Sequence, residues 1–248
     1  MNIDVLLTPL EISPARVAGR VVVVVDVFRA TTCITAAMAN GVKRLIPVTT
    51  IEEALAMREQ LRSTEQVLLG GERRTVKIEG FDLDNSPASY LEPSVVGSTI
   101  VMTTTNGTRA LNGAVDAGAA RVLVGAMVNA RAVARAASES GLDITILCAG
   151  RADRYTMEDA LGAGMIIQAL SHDHTVELSD IAYTTLDFYE HHAADLRAAL
   201  RNCLHYNYII SNGLADDVAY CLRADELAAV GQLDLISGEI TALKVATS

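Results

Sequence analysis

Apolar residues fall along this chain in short runs separated by polar turns, and the runs are of two kinds. The β-branched run at residues 21–27 predicts a central strand buried on both faces, because a parallel strand covered by helices on each side reads as continuous apolar sequence. Residues 3–7, 44–48, 66–70, 99–103, 121–125 and 144–148 predict further strands. Between them lie segments with helical spacing: 31–40, stopped by Gly41; 51–62, opened by the capping box Thr50 to Glu53; 109–118; and 130–140, with Asn129 as cap. Thr156, with Asp159 three residues on, opens a helix to about residue 170. From Asp180 onward the chain reads as mainly helical, and residues 233–244 predict a closing hairpin around Ser237-Gly238. Strands alternating with helices predict right-handed crossovers, hence an α/β fold with a mostly parallel sheet between helical layers. No linker or repeat interrupts the pattern, so residues 1–248 read as a single unit.

Composition sharpens this picture. Half of the residues are hydrophobic but only 4% are aromatic and none is Trp, so Val, Leu, Ile and Ala must fill the core. The formal net charge of -10 argues against nucleic acid as a partner, because binding a phosphate backbone needs clustered Lys and Arg. An anionic ligand would have to be drawn in by a few local Arg, Lys, N–H groups or a bound cation. No stretch reaches the roughly 18 apolar residues of a membrane span, and the N-terminus lacks a signal-peptide pattern, so the expectation is a cytoplasmic protein. Cys33, Cys148, Cys203 and Cys221 lie in apolar stretches and read as reduced thiols. Ala-rich helices would tolerate a homodimer interface.

In open α/β sheets the ligand site lies outside the carboxyl ends of the strands, so the residues there carry the functional reading. After the Val run come Asp26 and Arg29: the carboxylate suits a metal ligand or a phosphoryl-accepting nucleophile, or simply caps the turn against Arg29. Residues 70–87 form a long polar interruption containing Glu72, Lys77, Asn85 and Ser86, with Ser86 before Pro87 reading as an N-cap that leaves N–H groups free. Thr103, Thr104, Thr105, Asn106, Gly107, Thr108 and Arg109 end one strand and open a helix, offering hydroxyls, a close backbone and a cation to an oxyanion. Glu158 and Asp159 either complement a helix dipole or, if they share a cleft with Asp26, supply the hard oxygen ligands magnesium prefers.

Taken together, the stretches 25–32, 71–73, 80–83 with Asn85-Ser86-Pro87, 103–109 and 148–150 with Glu158-Asp159 resemble the 2-phosphosulfolactate phosphatase family, the ComB phosphatases of coenzyme M biosynthesis and their bacterial relatives. The resemblance runs through residues 1–230 in order, with Asp84 standing where the family pattern has Gly. It implies a magnesium-dependent phosphomonoesterase on an α/β/α fold of its own, acting on a small phosphorylated acid and releasing sulfolactate and phosphate. In that setting Asp26 with Glu158 or Asp159 would hold magnesium. Arg29, Arg109 and the N–H groups around Asn106-Gly107 would clamp the phosphoryl oxygens, while Glu72, Lys77, Asn85, Ser86 and Thr105 would line the substrate site.

Other chemistries compete. A haloacid-dehalogenase-type phosphatase needs a second Asp two positions after the first, where this chain has Phe28. A cysteine phosphatase would use Cys148 and Arg154, which have the required spacing on a strand-to-helix loop. A non-catalytic anion-binding α/β module is a third reading, although neither a P-loop nor G-x-G-x-x-G is present. The pairs His172-His174 and His191-His192 lack the i, i+4 spacing of zinc ligands on one helix face.

Overall fold

A computed structural model describes residues 1–243. Eleven strands form one sheet: β1 (Asn2–Leu6), β2 (Val21–Val25), β3 (Arg44–Pro47), β4 (Val67–Arg73), β5 (Val76–Lys77), β6 (Thr99–Thr103), β7 (Arg121–Gly125), β8 (Ile144–Cys148), β9 (Glu177–Leu178), β10 (Gly231–Leu233) and β11 (Ile240–Ala242). Their order is β5-β4-β6-β3-β11-β10-β7-β2-β8-β1-β9. The helices are α1 (Pro14–Val17), α2 (Ala30–Ala39), α3 (Ile51–Leu61), α4 (Gly107–Asp116), α5 (Ala130–Ser138), α6 (Met157–Asp173), α7 (Asp180–His192), α8 (Leu196–Leu200), α9 (Leu204–Ser211) and α10 (Ala215–Cys221). The expected α/β/α arrangement is what the structure shows.

The Val run explains the centre. All five residues of β2 are fully buried, and its pleat sends them alternately to opposite faces: Val21, Val23 and Val25 pack with α5 and α6, while Val22 and Val24 pack with α2 and α4. β2 pairs in parallel with β7 on one side and β8 on the other, Val25 standing level with Gly125 and Cys148. The three strand ends therefore deliver their loops at one height.

The C-terminal hairpin does something the sequence pattern does not foretell. Residues 231–242 form β10 and β11, which enter the middle of the sheet, antiparallel to β7 and to β3, and join two halves that are parallel apart from the short edge strand β5. Position 244 of the expected hairpin lies outside the described residues. Side chains from β2, β3, β6, β7, β10 and β11 share one buried cluster with α2, whose residues from Ala30 to Met38 are all buried. The sheet thus curls around α2, and that curl brings the end of β6 beside the end of β2 although four strands separate them in the order.

The polar interruption is more ordered than expected. β4 runs on to Arg73 and turns back as β5, with Glu72 opposite Lys77. Ser86-Pro87 opens a single 3-10 turn, Pro87–Leu91, and Asp84 Oδ1 accepts from the Ser86 N–H at 2.8 Å and the Ser89 hydroxyl at 2.8 Å. Asp84 supplies by hydrogen bonding the turn that a glycine would allow by freedom of its backbone.

Candidate active site

A hollow of about 220 Å³ opens at the strand ends, lined by Asp26, Phe28, Arg29, Glu72, Arg74, Thr75, Asn85, Thr104, Thr105, Asn106, Arg151, His205 and Tyr208 among others. Five of the expected residues that line it, Asp26, Arg29, Glu72, Asn85 and Thr105, come from three separate stretches of chain, and Asn106 makes a sixth.

Asp26 is 7% exposed and sits where β2 ends. Its backbone is fixed by Thr31, whose hydroxyl lies 2.9 Å from both the N–H and the carbonyl of Asp26. Gly107, the first residue of α4, abuts it: a Cβ at Gly107 would stand 3.1 Å from Asp26 Oδ2 and 2.9 Å from the Ala30 Cβ. Only glycine lets the N-terminal turn of α4 come this close, with Asn106 as N-cap and its side chain free of any capping bond. No Lys or Arg pairs with Asp26 among the described residues. Burial pushes its carboxyl well above the ordinary range, and the charges of Asp159, Glu72 and Glu158 push the same way.

The other acids are placed differently from one another. Glu72 lines the hollow, accepting from the Thr105 hydroxyl at 2.9 Å and the Thr75 N–H at 2.8 Å. Asp159 is turned toward the backbone: it accepts from the N–H of Val27 at 2.8 Å and of Gly150 at 2.9 Å, and from the Thr156 hydroxyl at 2.8 Å. It staples the ends of β2 and β8 to the start of α6, and burial followed by the charge of Glu158 lifts its carboxyl to about 7 despite these donors. Glu158 Oε1 lies 2.5 Å from His205 Nδ1, and its buried Oε2 has no partner among the described residues. It faces an adjoining cavity that shares Arg151, Ala152 and His205 with the hollow.

Arg29 is 2% exposed and spends Nη1 on Asp217 of α10, 2.6 Å away; the other Asp217 oxygen accepts from the Ser86 hydroxyl at 2.5 Å. Arg29 and Ser86 are thus held by one carboxylate, and Ser86 is not free for a ligand. Two further expectations are corrected. Arg109 does not reach the hollow, because two residues along a helix from Gly107 turn a side chain through about 200°; its guanidinium meets Asp153 at 2.5 Å on the outside. Lys77 lies on the edge strand β5, exposed, with its amine 3.5 Å from the Asp82 carbonyl.

His205, Tyr208, Arg74, Arg151 and Asp217 went unnoticed in the sequence. Nothing in the spacing of α9 and α10 says that they close over the ends of β2 and β8. The cysteine chemistry fails on geometry. Cys148 is 1% exposed inside the core, burial raises its thiol well above the usual value, and Arg154 is exposed.

The sequence profile of the 2-phosphosulpholactate phosphatases matches residues 6–235. The chain belongs to this family. Among 2-phosphosulpholactate phosphatase relatives, a probable 2-phosphosulfolactate phosphatase of Clostridium beijerinckii is 40% identical over 224 residues, covering 90% of this chain and 92% of that protein. A probable 2-phosphosulfolactate phosphatase of Clostridium acetobutylicum is 38% identical over 241 residues, covering 97% and 100%. One of Clostridium botulinum strain Eklund 17B reaches 42% over 224 residues. No helix among the described residues of this family member is long and apolar enough to cross a membrane.

Proposed function

We propose that the protein is a magnesium-dependent phosphatase that hydrolyses 2-phosphosulfolactate to sulfolactate and phosphate. The observation that carries the reading is a hollow whose acids have no base to neutralise them, set beside arginines and a helix N-terminus. Unpaired like charges in a buried site are costly unless a cation joins them.

The donors suit a hard cation. Asp26 and Glu72 face the hollow and the Glu158 Oε2 is orphaned nearby, yet no group of three or more His, Cys, Asp or Glu among the described residues is arranged as a complete cage. That count is in keeping with magnesium, which binds through one or two carboxylates and fills its shell with water and substrate phosphate. Asp26 and Glu72 would hold it, and it would supply neutralisation of the phosphoryl oxygens. Asp159 does not line the hollow; its oxygens accept from the Val27 and Gly150 N–H groups and the Thr156 hydroxyl, so it orders the loops.

The chain's own groups do the rest. Hydrolysis of a phosphate monoester presents a barrier from which an enzyme removes up to roughly 20 kcal/mol or more, mostly by positioning and by neutralising charge. The free N–H groups at the start of α4 and the Asn106 side chain offer donors to the phosphoryl oxygens. Arg29 remains fixed by Asp217 and presents its other nitrogen toward the rim, 3.4 Å from the Thr75 carbonyl. Assaying phosphate release from a panel of phosphorylated hydroxy acids tests the reading: activity that requires magnesium and disappears on chelation supports it, and chelator-resistant turnover rejects it.

A further inference from the structure

Three arginines line the hollow, and only Arg29 has a carboxylate. Neither Arg74 nor Arg151 forms an ion pair among the described residues, although the chain carries an excess of acids. Tyr208 of α9 holds the side chain of Arg151 and the backbone of Arg74. The Arg151 guanidinium lies 4.1 Å from the centroid of the Tyr208 ring, and the Tyr208 hydroxyl donates to the Arg74 carbonyl at 3.2 Å. Stacking on an aromatic face orients a guanidinium while leaving its in-plane N–H donors open.

The backbone beneath Arg151 is shaped to hold it there. Residues 151 and 154 exchange backbone hydrogen bonds at 2.9 and 3.1 Å across a tight turn, in which Ala152 and Asp153 take φ of 49° and 61°. Such values cost non-glycine residues energy and persist where surrounding contacts impose them. Gly150, at φ 60°, has no room for a side chain, since a Cβ would stand 2.4 Å from the Arg154 carbonyl oxygen. On the same hollow Asn85, 5% exposed, has a buried Oδ1 without a partner, an acceptor for a ligand hydroxyl or water.

We infer that Arg151, oriented by Tyr208, together with Arg74 on the same hollow, forms a second anion subsite that receives the sulfonate or carboxylate arm of the substrate, so that the enzyme selects phosphate esters bearing a second acid. The inference rests on the phosphatase reading above and assigns its substrate selection to residues distinct from Asp26 and Glu72. Loss of one charged hydrogen-bonding partner corresponds to roughly ten- to a hundredfold in affinity.

The test compares two esters of similar size with magnesium present: 2-phospholactate, which carries a carboxylate, and isopropyl phosphate, which does not. The wild type should favour the acid-bearing ester in kcat/KM, and Arg151→Gln should cut that preference at least about tenfold, chiefly through KM, with Arg74→Gln following in the same direction. Tyr208→Leu, which removes the stacking face, should behave like Arg151→Gln, whereas Tyr208→Phe, which keeps that face and loses only the bond to the Arg74 backbone carbonyl, should retain most of the preference. Equal handling of the two esters by the wild type, or an equal loss on both in Arg151→Gln, overturns the subsite. If neither ester is hydrolysed the phosphatase reading falls, and calorimetric binding of 3-sulfolactate then decides the subsite alone: weakened binding in Arg151→Gln upholds it, and unchanged binding removes it.

Discussion

Two groups of acids in this molecule are built on opposite principles. At the sheet's edge, Asp4 and Glu11 share Arg16: its Nε lies 2.8 Å from Asp4 Oδ2 and its Nη1 2.9 Å from Glu11 Oε2, with the Ser179 hydroxyl completing the Asp4 contacts at 2.8 Å. Burial alone would raise the Asp4 carboxyl, but hydrogen bonds from Arg16 and Ser179 outweigh it and hold the group below its ordinary value. In the hollow, Asp26 is buried more deeply than Asp4 and has no base, and its carboxyl moves up. The edge acids are neutralised by a base within the fold; Asp26 meets a countercharge only when something enters.

The sharpest way to break this contrast is Asp26→Asn. It should reduce phosphate release by at least about a thousandfold, as loss of a group that neutralises the transition state does, while the unfolding midpoint in the absence of magnesium stays the same or rises. A variant that unfolds would instead make Asp26 a structural residue.

Next in size is Asp217→Ala. It strands Arg29 in a site where the arginine is 2% exposed. Removing one partner of a buried ion pair costs on the order of 3–5 kcal/mol, so chemical denaturation should show a large loss of stability. A change under about 1 kcal/mol would mean that Arg29 finds another partner.

At the edge, Asp4→Asn should cost only about 1 kcal/mol, because both partners are partly exposed and solvent screens them, and it should leave turnover alone. The two groups should also respond to pH in opposite senses. Asp4 is depressed in the folded state, so its contribution is present above the unfolded value near 4 and is lost on acidification below it. Asp159, raised to about 7, favours the folded state while protonated; that contribution is present below about pH 4 and is lost as pH rises through 7. Metal-free protein should therefore be less stable at pH 8 than at pH 5, and Asp159→Asn should flatten that slope. The smallest expected effect is iodoacetamide treatment of the native protein, which should leave activity intact because Cys148 is buried and protonated.

The same contrast shows what the sequence can and cannot convey. The Val run, the Thr50 to Glu53 capping box and strands 99–103, 121–125 and 144–148 were legible because each is decided by local pattern: the box forms as expected, Thr50 Oγ1 accepting from the Glu53 N–H at 3.1 Å. Asp26, Glu72, Asn85, Thr105 and Asn106 were legible as strand-end residues, and the structure gathers them. Arg109 and Lys77 were misplaced because side-chain direction around a helix turn and position on an edge strand depend on packing. Asp217, His205 and Tyr208 were invisible because the fold of the tail brings His205 and Tyr208 to the hollow and Asp217 to Arg29, and the curl of the sheet about α2 depends on a hairpin inserted between its halves.

Magnesium titration followed by thermal unfolding, without substrate, addresses the account most directly. Wild-type protein should gain several degrees in Tm as magnesium is added, since a ligand that binds only the folded state stabilises it, and Asp26→Asn should start no lower and gain nothing. An identical gain in both proteins, or no gain in the wild type at millimolar magnesium, would contradict a cation held among the hollow's unpaired carboxylates.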